Sequence, residues 1–432
     1  MRDFLNDAFK LMMTLKACVS PFHAVKNAEE KLMNNGFERL YIEDLWSLEC
    51  GGRYFVNVYG STLFAFTIGQ NFKSSSGVRI AAAHTDWPCL RIKPNPEVVK
   101  NGYAAVNVEV YGGPIINTWL DRPLSIAGRV TVKGENEFAP KSVLVDFRRS
   151  LLTIPNIAIH LNREINKGVE LNKQNELLPI IGMIEDELNN KNYFMELIAE
   201  EAKVRAEDIL SYDLYVYNAD ASQLLGVSSD FISSPRLDNV TGIEACINGI
   251  LSSDNKDSVN MSILYDNEEI GSRTKQGAGG IITGAVLEKL MYAVGISREE
   301  YLASLFKSMM LSVDVAHGMH PHHPEKYDIT SKALLNGGIA IKTNSNQNYA
   351  TDGMSIGVVK GICETNGIPY QMLANRSDIA GGSTLGAISS AFTAIATVDI
   401  GVPLLAMHSA RELMGAKDMA YANELVIDFF NT

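Results

Sequence analysis

The sequence predicts an α/β fold in which one α/β domain is interrupted by an inserted β-rich domain. Three observations predict it. The chain has 432 residues, too many for one ordinary core. Residues 1–93 and 233–432 carry apolar strand-like runs alternating with helical or loop segments. Between them, residues 94–232 carry short alternating strands with turn signals, the texture of a β domain rather than of βαβ units.

Taken in order, the segment up to about Asn35 reads as helical, with Phe4, Ala8, Leu11 and Leu15 at helical spacing. YFVNVYGSTLFAFTIG reads as a hairpin turning at Gly60-Ser61, and GVRIAAAHTD as a buried strand ending in polar residues. VNVEVYGG, SIAGRVTVKG and KSVLVDFRR are the short strands of the insert. A polar, helix-prone stretch runs from about Asn172 to Ile209, and SYDLYVYNAD follows as another strand. From Ser233 the α/β texture returns. VNMSILYD and LLAMHSAREL each read as a strand leading into a loop or helix, and IAIK and PYQMLAN as shorter strands.

Composition narrows the function. Hydrophobic residues make up 46% of the chain and charged residues 20%, ordinary globular usage. The net charge of −12 argues against a nucleic-acid partner, which requires a basic face. The start, MRDFLNDAFKLMM, does not read as a signal peptide, and no run approaches the ~20 apolar residues of a membrane span. Cys18, Cys50, Cys89, Cys246 and Cys363 are odd in number and irregularly spaced, which fits reduced thiols and a cytoplasmic protein.

The chemistry gathers in five short segments. His84 and Asp86 follow VRIAAA, Glu268 and Glu269 follow SILYDN, Asp314 follows MMLSV, and His408 follows VPLLAM. Asp238 lies in SSPRLDNVTG, read as a loop before a helix. Polar groups at the carboxyl ends of strands in an open α/β sheet converge on one crevice. Histidines with carboxylates suit a borderline cation such as zinc, and two ions about 3.5–4 Å apart need a shared carboxylate. Asp238 is the natural bridge, with His84 and Asp314 on one ion and Glu269 and His408 on the other. Asp86 supports the site from behind or reaches the bridging carboxylate. Glu268 is left as the general base for a water whose pKa two metals draw down towards about 7. Taken singly, each piece has a plainer reading: a surface histidine, a solvated acid pair, a helix cap at Asp238.

These same segments, HTDWPCLRIKPNP, SSPRLDNVTG, YDNEEIGSRTKQGA, SVDVAHGMHP, IKTNSNQNYATDG and LLAMHSARELMG, resemble in order and spacing the aspartyl aminopeptidase family of di-zinc metallopeptidases. The resemblance covers essentially the whole chain. It implies a zinc-peptidase-like α/β/α catalytic domain and an inserted domain serving dimerisation and as a lid. It implies two Zn2+ per subunit, with Co2+ or Mn2+ as substitutes, and ligands at His84, Asp238, Glu269, Asp314 and His408. It implies Glu268 as the base and His317, Tyr349 and Gly382 beside a peptide substrate, with Lys342 matching a lysine that faces an acidic N-terminal side chain. It implies that His160, in IPNIAIHLNRE, acts in a neighbouring subunit of a tetrahedral dodecamer built from dimers. Asn348 and Ile379-Ala380-Gly381 depart from the family's pattern in segments read as lining the substrate pocket, which bears on residue preference rather than on the reaction.

On the residues alone, a related two-metal carboxypeptidase or N-deacylase, or a non-catalytic shell protein, stays open. Neither GAGG at 277–280 nor GGSTLG at 381–386 is a phosphate loop, although the latter could offer backbone N–H groups to a peptide. MHPHHP reads as a solvated loop, and Cys89 as a small buried residue.

Overall fold

The computed structural model describes residues 2–168, 170–183 and 192–432. The chain divides into two compact units: Met1–Asp86, Ser222–Met407 and Glu412–Thr432 form the first, Trp87–Ala221 and His408–Arg411 the second. The division falls at 86/87 and 221/222, not at 93/94 and 232/233. Strand pairing explains the shift. Cys89–Lys100 is one continuous strand of the second unit's sheet, and Gln223–Leu225 already pairs with Phe231–Ser234 in the first.

The first unit is built on a 12-stranded mixed sheet. Its centre runs Thr62–Ile68, Val259–Tyr265, Val78–His84, Met309–His317, Ala396–Leu405, the last four mutually parallel. The hairpin at Gly60 forms as the sequence predicts, pairing Arg53–Val58 with Thr62–Ile68. Alternation along the strands separates two helical layers. Ile80, Ala82, Met261 and Ile263 pack with Val286, Leu287, Leu290 and Leu385, from the helices Ile282–Ala293 and Leu385–Thr393. Ser262, facing the other way, donates its hydroxyl to the Cys246 carbonyl of the helix Leu237–Leu251, 2.7 Å away. The result is an α/β/α sandwich whose central strands are buried on both faces, which is why they read as continuous apolar runs.

The N-terminal segment is two helices, Phe4–Ala17 and Pro21–Asn34. Ser20 caps the second and Pro21 opens it, so the chain restarts there. Both helices are tied to Leu237–Leu251 by one half-buried ion pair. Lys31 Nζ and Thr14 Oγ1 each donate to Glu244 Oε2 at 2.7 Å, and the Glu244 side chain is 2% exposed. Burial alone would push this carboxyl up, but Lys31 and the donors outweigh it and hold it below its usual value. A carboxyl depressed on folding contributes stability that is present above its unfolded pKa and lost as pH falls through its folded pKa. Lys31→Met is therefore expected to cost roughly 3 kcal/mol at neutral pH by leaving a buried carboxylate uncompensated. The gap from the parent in urea denaturation should narrow as the pH drops below the ordinary glutamate range.

The second unit is a six-stranded antiparallel sheet in the order Lys141–Asp146, Leu124–Val132, Ile209–Asn218, Cys89–Lys100, Tyr103–Tyr111, Ile180–Met183. Asp213 ties three of its strands, accepting from Arg91 at 2.8 Å and Arg129 at 2.9 Å. The helix-prone stretch 172–209 is shorter than its composition implies. Ile180–Met183 is a strand, and the helix spans Tyr193–Ala202, ending where Lys203 takes a left-handed conformation. Residues 184–191 of that stretch lie outside the described residues. After Leu405 the chain takes the loop rather than the helix, and then enters Glu412–Gly415, a short strand of the large sheet.

Candidate metal centre

His84 closes the strand Val78–His84, in register with Tyr265 on one neighbour. On the other side Ala82 pairs with Ser312, which sets Asp314 level with His84, each two residues further on. Asp314 is thus inside a strand rather than at its end. Met309–His317 continues past it because pairing with Ala396–Leu405 persists to His317, after Val78–His84 has stopped. Asp238 reaches the same place from the start of Leu237–Leu251, where Asp238 and Asn239 leave helical φ/ψ. Its N–H donates to Glu412 Oε2 at 3.0 Å.

The groups around His84 are close enough to hold a metal ion. His84 Nε2 stands 3.3 Å from Asp238 Oδ1 and 3.4 Å from Asp314 Oδ1. Ligands held tetrahedrally at zinc's usual 2.0–2.1 Å would stand about 3.3 Å apart. His84 Nδ1 lies 3.0 Å from the Asp86 carbonyl, an acceptor for an Nδ1 proton that orients the ring with Nε2 towards the two carboxylates. A nitrogen set against two carboxylates needs either a proton of its own or a metal cation between them.

Glu268 and Glu269 are not on strand-like backbone. They open a one-turn 3₁₀ segment, Glu268–Ile270, after Asn267 at φ 64°. The two side chains therefore do not alternate across a strand. Asp86 sets the turn: Oδ1 accepts from the Glu268 N–H at 3.0 Å and Oδ2 from the Glu269 N–H at 3.1 Å. Both oxygens of this fully buried carboxylate thus serve the backbone of the acid pair.

Electrostatics make the same point as the distances. Burial pushes the Glu268 carboxyl up to about 8, with Asp314, Asp86 and Asp238 adding to the rise and His84 opposing it. Glu269 is driven well above its usual range by burial and then by Asp238 and Glu268. Burial disfavours a charged His84, yet Asp238, Asp314 and Asp86 outweigh it and hold the imidazolium well above its ordinary pKa. Asp314 stays low despite burial because Lys342 and His84 face it. The protein's own groups cannot keep all these acids ionised together. Mixed imidazole and carboxylate donors at these separations suit zinc. Among the described residues, His84–Asp238–Asp314 and His84–Glu268–Glu269 each bring one ligand atom per residue within 4.8 Å of the others.

The remaining sequence-predicted residues are placed differently. Lys342 is 1% exposed; its Nζ donates to the Val315 carbonyl at 3.0 Å, lies 3.5 Å from Asp314 Oδ2, and stands over the ring of buried Tyr349 at 5.3 Å. His317 ends its strand three residues beyond Asp314 and is exposed, and Gly382 lies in an exposed segment. His408 groups with the second unit, three residues after Leu405. Its Nδ1 is 3.1 Å from the Gly113 carbonyl, the tie by which ligating histidines present Nε2. His160 is in the second unit, exposed, on a turn closed by Leu161 and Asn162 N–H bonds to the Ala158 carbonyl. His322 and His323 are exposed and their rings pack against half-buried His320, edge-on and tilted respectively, and Cys89 is buried. Sequence reasoning missed Glu412, although MHSARE held it in view; an acid opening a strand carries no sign that it will accept a distant N–H.

A helix-covered mixed sheet that gathers a histidine and several acids around the ends of its parallel strands is the framework of a metal-dependent hydrolase. This chain belongs to the Aminopeptidase I zinc metalloprotease (M18) family, whose model matches residues 14–430. It is 44% identical to a probable M18 family aminopeptidase 2 of Clostridium acetobutylicum, over all of both chains. Among solved structures, the complex of Ape4 and Nbr1 shares 34% identity at a TM-score of 0.94, covering 99% of this chain and 86% of that one. The S. cerevisiae mApe1 dodecamer shares 26% at 0.86, covering 99% and 97%. The protein is accordingly a zinc-dependent aminopeptidase, which sets aside the carboxypeptidase, deacylase and shell readings. Among the described residues no helix is long and apolar enough to cross a membrane.

Proposed function

We propose that the enzyme removes single N-terminal residues from peptides at a two-zinc centre. His84, Asp238, Asp314, Glu269 and His408 would hold the ions. The observation that carries this reading is His84 Nε2 between Asp238 and Asp314 at 3.3 and 3.4 Å, with the Glu268–Glu269 turn pinned beside it by Asp86. When bound, the ions supply a Lewis-acid centre that acidifies water and polarises the scissile carbonyl; Co2+ or Mn2+ is the expected substitute for Zn2+. Glu268 accepts the proton of the attacking water and returns it to the leaving amine. Asp86 keeps that carboxylate in place. His317, Tyr349 and the Gly382 segment flank the peptide.

We further infer a cytoplasmic homo-oligomer, a tetrahedral dodecamer built from dimers, in which the second unit dimerises and brings His160 to a partner's centre; that the mApe1 structure is a dodecamer supports the oligomer. A preference for Asp or Glu at the N-terminus rests on Lys342. Its ammonium is already shared by Asp314 and the Val315 carbonyl, so a substrate carboxylate would have to compete for it. Aminoacyl amides of Asp, Glu, Ala and Leu, each with a free and a blocked amine, test both points. Cleavage of the blocked series would overturn exopeptidase action on a free amine, and equal rates across the free series would remove the acidic preference. His84→Ala is expected to lower bound zinc by at least one equivalent in dialysed protein with fold intact. Full zinc content would place the ligand set elsewhere.

A further inference from the structure

The strand Ala396–Leu405 carries a fully buried acid, Asp399, that the reading above does not use. Its oxygens are divided between two segments distant in sequence. Oδ2 accepts from the Ala350 N–H at 2.6 Å, and Oδ1 accepts from Thr384 Oγ1 at 2.5 Å. Its own N–H donates to Thr351 Oγ1 at 2.9 Å. The two segments are also bonded directly: the Thr384 N–H and Ser383 Oγ both donate to the Asn348 carbonyl, at 3.3 and 3.2 Å. Gly386 lets the second segment come this close, because a Cβ there would lie 2.6 Å from Asp399 Oδ1. These segments lie in NQNYATDG and RSDIAGGSTLG, which hold Asn348 and Ile379-Ala380-Gly381, the residues that depart from the pattern of the family this sequence resembles.

The same acid is coupled to the metal-centre side. Ile341 pairs with Ile400 and Ala340 with Gly401, a register that sets Lys342 level with Asp399. Lys342 in turn lies 3.5 Å from Asp314 and 5.3 Å from the Tyr349 ring, next to Ala350. Burial pushes the Asp399 carboxyl up, while Lys342, Ser312, Thr384 and the Ala350 N–H pull it back. A buried charge is a costly way to fill a strand position, since an apolar side chain there is often neutral or stabilising. What the carboxylate adds is two oriented acceptors aimed at two loops, with a cation behind them.

We propose that Asp399 is a positioning residue that locks the Asn348–Thr351 and Gly381–Gly386 segments into one substrate-side wall, and so sets affinity for the N-terminal residue of the peptide. The inference rests on reading those segments as pocket lining. In Asp399→Asn both charge-assisted bonds become neutral ones: the amide oxygen still accepts from the Ala350 N–H, the amide nitrogen reverses the Thr384 bond so that the hydroxyl accepts, and side-chain volume is kept. Loosening a wall that binds ground and transition states alike raises KM and spares kcat. The expected result is a KM raised about tenfold with kcat within about threefold and bound zinc unchanged. Hydrogen exchange should accelerate at the Ala350 and Thr384 amides and not along Ala396–Leu405. Thr384→Val should shift KM in the same direction by less, and Thr384→Ser, which keeps the hydroxyl, should recover most of that loss; this pair carries the test if Asp399→Asn does not fold. An unchanged KM in the folded variants, or a fall in kcat at constant KM, would overturn the proposal. Parent enzyme inactive on every free-amine peptide would instead sink the functional reading above.

Discussion

Glu268→Gln is expected to keep the fold and bound zinc and to lose about 10²–10⁴ of turnover, the usual contribution of a positioned general base. The substitution preserves volume and the N–H that Asp86 holds at 3.0 Å, so the one-turn segment Glu268–Ile270 should stay where it is. What disappears is the ability to accept a proton. The expectation separates Glu268 from its neighbour. Glu269 is proposed as a ligand, so Glu269→Gln should weaken zinc binding as well as turnover. Parallel zinc titration and steady-state rates on both variants make the comparison. Near-parental turnover in Glu268→Gln across the whole pH range would show that another group moves the proton; loss of zinc in that variant would make Glu268 a ligand.

Much of this site is legible in the sequence because strand register does the assembling. His84 and Asp314 are far apart in the chain, yet each ends or interrupts an apolar run, and parallel pairing of those runs sets them level. The hairpin at Gly60 is legible for a similarly local reason: two alternating runs around a turn. Other features depend on partners that no local pattern encodes. The strand Met309–His317 outlasts its neighbour, so Asp314 lies mid-strand, because a third strand keeps pairing with it. The Glu268–Glu269 pair follows an apolar strand and reads as its continuation; the 3₁₀ turn becomes visible only with Asn267 at positive φ and Asp86 bonded to both amides. Lys342 reads as a substrate contact by resemblance, but its pairing with Asp314 and Val315 is a tertiary fact. Asp399, Glu244 and Glu412 sit inside apolar or helical runs, where a single acid is silent until its donors are known.

His160→Ala should be nearly inactive with both zincs retained, and mixing it with Glu268→Gln protein under conditions that exchange subunits should restore part of the activity. His160 belongs to the second unit, exposed, at the tip of a segment whose base is tied to Asp121 by the Asn156 N–H and side-chain amide, both at 2.9 Å. The tip presents Ile157, Ile159 and Leu161 at 50%, 47% and 77% exposure around the histidine. Clustered exposed apolar side chains are expected where another surface covers them. In the proposed assembly that surface is a partner subunit, and the histidine arrives at the partner's centre with a donor for the substrate carbonyl and the oxyanion that follows. Because the two variants lose different parts of one composite site, some hybrid oligomers contain a centre with an intact Glu268 from one chain and an intact His160 from another. Recovered activity should therefore rise with the extent of exchange and vanish when subunits are cross-linked before mixing. A fully active His160→Ala enzyme, or no recovery despite exchange proven by mass-tagged subunits, would leave His160 as a surface residue of a turn.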